Sequence, residues 1–245
     1  MDFDARLVRL DQQAQELADS DGDVFLPNFR PKEPADHVLI CMEPSLGRWA
    51  GTPEAGRQRI AEGFRNFTWS IEDFILHHAA RRYLCGPGQT YHLTDLSKGA
   101  MTVARANIDR ALRYARWYKL LKQEIEVVAK PGASFVAVGK VVESELWRRG
   151  FAQPFTTVLH YSGQAAGARK TAIVTAGREA EFRDFAETVS LNDILETVEW
   201  LLSENNSPTK LVQEAFERVE RVEFTESRKM LLFVYRNAFI SNPKP

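Results

Sequence analysis

Four short apolar runs punctuate the chain, each closed by polar or turn-forming residues. The first is Val38-Leu39-Ile40, a β-branched run that reads as a buried strand and stops at Glu43-Pro44-Ser45-Leu46-Gly47. Tyr91 to Leu96 is the second and Ser134 to Val138 the third, entered through a turn at Pro131-Gly132. Thr156 to Leu159 is the fourth. Between them the period becomes helical. Residues 4–19 place Leu7, Leu10, Ala14 and Leu17 on one face, 54–65 look helical, and Ser70 caps a helix running to about Leu84. Helices are predicted over 103–128 and 141–149 as well. The first of these is expected to bury Ile108, Leu112, Ala115, Leu120 and Ile125, with Arg105, Arg110, Arg113, Arg116, Lys119 and Lys122 as a solvated face. Beyond the fourth strand the pattern predicts helices at 178–188, 191–203, 208–222 and 226–239, with Ser190 and Ser207 as caps and Pro208 in a first turn.

Strands alternating with helices predict parallel βαβ units. The fold class is therefore α/β, a three-layer α/β/α sandwich on a four-stranded, mainly parallel sheet, followed by C-terminal helices. Residues 1–175 form the α/β domain with its N-terminal helix, and 176–245 a helical extension packed on the same domain.

Bulk numbers narrow the class. The chain has 245 residues, 44% hydrophobic and 27% charged, which suits a globular protein. No apolar run reaches the roughly 18 residues of a membrane span, so no membrane partner is expected. The start, Met1-Asp2-Phe3-Asp4, lacks the basic and apolar segments of a secretory signal. Two cysteines, Cys41 and Cys85, fit a reducing compartment and give no disulfide framework, so a cytoplasmic location is expected. The net charge of −1 means that nucleic-acid binding needs a local basic face.

Chemistry gathers at the strand ends. Glu43, Asp95, and His160 with Ser162 stand at the carboxyl ends of strands one, two and four. In a parallel sheet those ends share one edge, where open α/β sheets bind their ligands.

These residues and their order resemble the uracil-DNA glycosylase superfamily over about residues 36–175. The family's first motif, a strand followed by a Gly-x-(Asp/Asn/Ala)-Pro-type turn, reads Cys41-Met42-Glu43-Pro44-Ser45. Its second, a strand ending Thr-Asn-x-x-Lys in some branches, reads Thr94-Asp95-Leu96-Ser97-Lys98. A third strand running into Gly and a helix matches Val136-Ala137-Val138-Gly139. The last motif, His-Pro-Ser-Pro followed by small residues and often Arg, reads His160-Tyr161-Ser162-Gly163-Gln164, with Arg169 beyond.

The resemblance implies an enzyme that flips a nucleotide out of DNA and hydrolyses its base–sugar bond. It implies no catalytic metal and no cofactor; two cysteines are too few for the iron–sulfur cluster of some branches. Glu43 would orient water and stabilise the sugar cation. His160 would donate to the base O2 as negative charge develops. Ser162, the amides around Gly163, Gln164, Arg169 and Lys98 would hold DNA. Phe67 is the expected aromatic floor, ahead of Phe64 and Trp69, and Met42 and Ser45 flank the base.

Two departures bear on the substrate. Asp95 stands where uracil readers have Asn; an ionised carboxylate only accepts, which suits the cytosine N4 amine. Ser45 is small where uracil readers carry a bulky Tyr that excludes C5 substituents. Together they predict a C5-substituted cytosine, such as hydroxymethylcytosine or its glucosylated form, as in phage DNA, and hence an antiviral role. The partner is DNA, with no obligate protein partner. In the last motif Tyr161 replaces Pro, and Gln164 followed by Ala165 replaces a Leu wedge. Alternatives are a repair glycosylase for uracil or a deaminated base, a catalytically inactive nucleic-acid-binding protein, and a nucleoside-handling α/β enzyme. No Gly-rich phosphate loop follows any strand, which counts against the last.

Overall fold

The computed structural model describes residues 2–106, 108 and 110–241, apart from the Gln164 side chain. Helix α1 (Phe3–Asp21) starts where the Asp2 carboxylate accepts from the Phe3 amide, and it closes on Gly22 in the left-handed region. Strand β1 (Val24–Phe25) precedes the central strand β2 (Ala35–Cys41). Helices α2 (Gly47–Ala50), α3 (Pro53–Ala61) and α4 (Ile71–Ala79) follow, α4 running on as a π-helical turn over Ala80–Leu84. Ser70 caps α4 as expected: its hydroxyl accepts from the Asp73 amide at 3.1 Å, and the Asp73 carboxylate accepts from the Ser70 amide at 2.7 Å. Next come β3 (Tyr91–Asp95), β4 (Gly99–Ala100) antiparallel to β1, and helices α5 (Val103–Ala106) and α6 (Arg110–Val128). Strand β5 (Ala129–Val138), helix α7 (Lys140–Arg148) and strand β6 (Phe155–Val158) complete the sheet. Helices α8 (Ala166–Thr175), α9 (Glu179–Thr188), α10 (Leu191–Glu204), α11 (Thr209–Glu220) and α12 (Glu226–Ser241) end the chain.

The main sheet has the order β3-β2-β5-β6, and all three pairings are parallel. Val38, Leu39 and Ile40 are wholly buried because β2 is covered on both faces. Alternation along the strand sends its side chains to two cores. Val38 and Ile40 pack with Leu7, Tyr114, Leu121 and Leu146 from α1, α6 and α7. Leu39 and Cys41 pack with Phe74, Ile194, Ala215 and Phe233 from α4, α10, α11 and α12. Helices on both faces of a parallel sheet make the three-layer sandwich, and the C-terminal helices supply part of one outer layer.

Several expectations need correction. Strand β5 begins at Ala129, so Pro131-Gly132 lies inside it, where a register shift opposite Ala35–His37 absorbs the proline. The expected helix over 103–128 is two helices, and the second turns a different face inward. Tyr114, Trp117, Leu121 and Ile125 are buried, while Ile108 and Leu112 stand 61% and 62% exposed. Arg113 is buried because its guanidinium caps the Ala106, Arg105 and Ile108 carbonyls. A break that resets helix phase is invisible to periodicity, and a buried arginine reads as surface. Pro208 is the N-cap of α11, one place earlier than expected.

Candidate active site at the carboxyl edge of the sheet

The sheet order sets four strand ends side by side. Asp95 is the last residue of β3 and pairs in register with Cys41. The contact continues past the strands, with the Leu96 amide donating to the Cys41 carbonyl at 2.9 Å and Ser97 to Met42 at 3.4 Å. Glu43 follows directly. On the other side of β2, Gly139 directly follows β5 and donates to the Val158 carbonyl of β6 at 2.8 Å, with His160 two residues beyond Val158. Asp95, Glu43, Gly139 and His160 thus line one edge in strand order.

Glu43 is almost wholly covered, its side chain 4% exposed. Arg110 of α6 grips one carboxylate oxygen through Nη2 at 2.9 Å and Nε at 3.1 Å. The Tyr114 hydroxyl, one turn along α6, donates to the other oxygen. Burial, then the Glu43 charge, pushes the Tyr114 hydroxyl above its ordinary range, so it stays a donor. The two Arg110 bonds occupy both lone pairs of Oε1, so Oε2, which takes one bond from Tyr114, keeps a lone pair for water or a sugar cation.

His160 is fixed from three directions. Its Nδ1 accepts from the Ser162 amide at 3.0 Å, so the neutral ring carries its proton on Nε2. Among the described residues nothing accepts from that Nε2–H. Burial, then the nearby Arg169 charge, pulls the ring down to about 4, so it is a neutral donor at physiological pH. Tyr161 stacks on it at 4.6 Å. The ring also lies against Gly139, whose φ is 106° and where an added Cβ would come within 3.1 Å of the His160 Cβ. That close approach requires glycine.

Asp95 is buried, and Asn66 Nδ2 donates to its Oδ2 at 2.7 Å. Burial pushes its carboxyl well above the usual range, Lys98 opposes this, and the Glu124 and Glu43 charges add to it. Its Oδ1 has no partner among the described residues. The Tyr161 hydroxyl is pushed up chiefly by burial and also by the Asp73, Cys41 and Asp95 charges.

The remaining expected site residues divide. Met42 and Ser45 stay at the edge, Ser45 in a bridge to Met101 with its carbonyl held by Trp49 Nε1 at 2.6 Å. Ser162 and Gly163 lead through a short 3-10 turn into α8. The Gln164 side chain, expected at the DNA, lies outside the described part. Arg169 is corrected: it is 2% exposed, and its guanidinium donates to the Tyr161 and Ser162 carbonyls at 2.6 and 2.7 Å and to Ser227 of α12. It clamps the loop from beneath and does not face DNA. Lys98 is likewise turned inward, at 2.7 Å from Glu124, which also accepts from His92 and Thr94. Phe67 is no open floor. Asn66 anchors the segment to Asp95 and accepts from the Phe67 amide, and Phe67, at φ 59°, sends its ring into the core edge-on to His77. Phe64 is core as well, stacked on Trp49 at 4.7 Å, and Trp69 is half-buried beneath the Arg218 guanidinium at 3.9 Å. Sequence reasoning missed Asn66 and Tyr114 and put Arg110 on a solvated face. A tyrosine one turn after an arginine was the only available signal for that pair.

No protein-family model matches the chain, and no curated protein and no solved structure matches it. Among the described residues, no helix is long and apolar enough to cross a membrane, and no group of three or more His, Cys, Asp or Glu is placed to hold a metal ion.

Proposed function

We propose that the protein is a DNA glycosylase that takes a flipped, C5-substituted cytosine and hydrolyses its N-glycosidic bond, leaving an abasic site. The observation that carries the reading is a clamped carboxylate, Glu43, and a neutral imidazole N–H donor, His160, on one sheet edge with the buried Asp95 beside them. As the C1′–N bond breaks, the base takes the electron pair and His160 Nε2–H stabilises the anion at O2. Glu43 stabilises the cationic sugar, orients the attacking water and accepts its proton, which passes on to the departing base. Arg110 and Tyr114 keep Glu43 in place. Ionised Asp95 accepts from the N4 amine of cytosine. Hydroxymethyl or glucosylated cytosine of phage DNA fits the small Ser45, which supports an antiviral role.

One observation favours a second reading. Burial raises the Asp95 pKa, and a protonated Asp95 both donates and accepts, as an asparagine does. In that state it suits uracil, which makes the protein a repair glycosylase.

The test is base release from duplexes carrying cytosine, 5-hydroxymethylcytosine, its glucosylated form or uracil, with Glu43→Gln and Asp95→Asn beside the parent. Release from modified cytosine alone, abolished by both substitutions, is the expected result. Release from uracil alone supports the second reading, and release from none refutes both.

A further inference from the structure

The segment joining α3 to α4 brings one polar side chain, Asn66, to the sheet edge, and bonds to its backbone hold it there. The Asn66 amide donates to the Pro27 carbonyl at 2.9 Å. Arg218 of α11 donates to the Thr68 carbonyl at 3.1 Å and to the Trp69 carbonyl at 2.7 Å, and the Thr68 hydroxyl donates to the Arg65 carbonyl at 2.6 Å. Phe67 sits among these bonds at a φ of 59°, a region that a bulky residue enters only under constraint. Strain of this kind persists where the surroundings over-determine it, and it collects at functional sites.

The constraint fixes the Asn66 side chain. The Phe67 N–H donates to Asn66 Oδ1 at 3.0 Å. A backbone N–H can only donate, so the amide cannot be turned over: Oδ1 accepts from Phe67, and Nδ2 faces Asp95. One Nδ2 proton goes to Asp95 Oδ2 at 2.7 Å. The other has no acceptor among the described residues, and Asn66 is half-buried. Asp95 Oδ1 takes no bond among the described residues and is not sealed from solvent. A fixed donor and an open acceptor therefore stand side by side.

We propose that Asn66 is a specificity-determining residue: its spare Nδ2–H donates to ring N3 of a flipped cytosine while Asp95 Oδ1 accepts from the N4 amine. This rests on the base-excision reading and deepens it, because it selects cytosine over uracil. N3 is the ring atom next to C4, so a base whose N4 amine meets Oδ1 presents N3 to the amide beside that carboxylate. With His160 Nε2–H at O2, the protein offers an acceptor and two donors to the donor and two acceptors of the cytosine edge. Uracil carries a proton on N3, which sets donor against donor at Asn66. Protonating Asp95 does not relieve this. Its proton then lies on Oδ1 and can serve O4, but the Asn66 donor is set by the Phe67 peptide and stays where it is.

Asn66→Asp is the sharpest variant, because it keeps an acceptor for the Phe67 N–H and loses the spare proton. Thermal melts establish that it is folded. Two measurements use the full chain. The first is kcat/KM for base release from duplexes carrying 5-hydroxymethylcytosine or uracil. The second needs no turnover: the side-chain amide protons of Asn66 are followed by NMR in isotope-labelled Glu43→Gln protein, titrated with a short single strand carrying either base. In Asn66→Asp, kcat/KM for 5-hydroxymethylcytosine is expected to fall about tenfold or more, with uracil turned over no more slowly than by the parent. The Asn66 amide protons are expected to shift with the 5-hydroxymethylcytosine strand and not with the uracil strand. Release of modified cytosine by the parent with an unmoved Asn66 amide, or an equal shift with uracil, overturns the proposal and leaves the glycosylase reading standing. A shift specific to modified cytosine without any release overturns base hydrolysis and keeps the recognition. Neither shift nor release overturns both.

Discussion

Arg169 offers the sharpest test of how the edge is held together. It resembles a DNA-contacting arginine by its place after His160, yet it lies beneath the loop at 2% exposure. Arg169→Met keeps the length and apolar stem and removes the guanidinium. Two short bonds to the Tyr161 and Ser162 carbonyls disappear, together with two longer ones to Ser227. Bonds to a charged donor are worth about 1.5–3 kcal/mol each, so the two short ones predict a loss of about 3–6 kcal/mol. Urea unfolding followed by tryptophan fluorescence measures it, as a midpoint lowered by about 1 M or more at unchanged slope. Arg169→Lys retains the charge without the fork and recovers only part of the loss. DNA affinity measured against salt supplies the second readout, and its slope is expected to match the parent. A variant as stable as the parent, with a salt slope smaller by about 1, would mean that Arg169 meets a phosphate and that the clamp is misread.

Further outcomes follow from the same geometry. Gly139→Ala puts a methyl against the His160 ring at a φ of 106°, so it should lower the melting temperature and reduce base release more than DNA binding. Lys98→Met removes the lysine partner of the buried Glu124 and leaves it to His92 and Thr94; burial pushes this carboxyl up, but Lys98 and His92 together hold it at about 2, and a loss of roughly 3–5 kcal/mol in urea melts is expected. Because the Glu124 pKa is lowered by folding, its stabilisation is complete above the ordinary 4.5 and is lost as pH falls towards 2, so pH-dependent melts of the variant should flatten in that window. For Asp95 the sign is opposite: its raised pKa means that stability is lost as pH climbs above the usual carboxylate range, so Asp95→Asn should be more stable than the parent at pH 7. Excision of modified cytosine should rise with pH as Asp95 ionises, and excision of uracil should fall; a flat profile on both would remove Asp95 from base reading.

Much of the frame was legible because the chain is locally consistent. Val38 to Ile40 is apolar at every position, as a strand covered on both faces must be. Ser70 and Asp73 stand at capping-box spacing, and polar residues at the ends of parallel strands converge by topology alone. The hidden parts depend on partners far apart in sequence. Nothing near Glu43 announces Arg110 and Tyr114, because which face of α6 turns inward depends on the break after α5. Lys98 and Arg169 looked like surface cations because a charge reads the same whether water or a buried carboxylate faces it. Phe67 reads as a platform in the sequence, but Asn66 directs the backbone into a conformation that few bulky residues adopt, and the ring goes into the core.

The fastening of the His160 loop to α12 has a consequence for how the protein is made. A ribosome has delivered all four strands of the main sheet by Val158. Yet the Leu159 carbonyl waits for the hydroxyl of Tyr235, and Arg169 waits for Ser227. A nascent chain therefore carries Glu43 and Asp95 long before the imidazole opposite them is held in place. Release of an unfinished copy yields a sheet with half an edge, and these anchors of the His160 loop come only with α12.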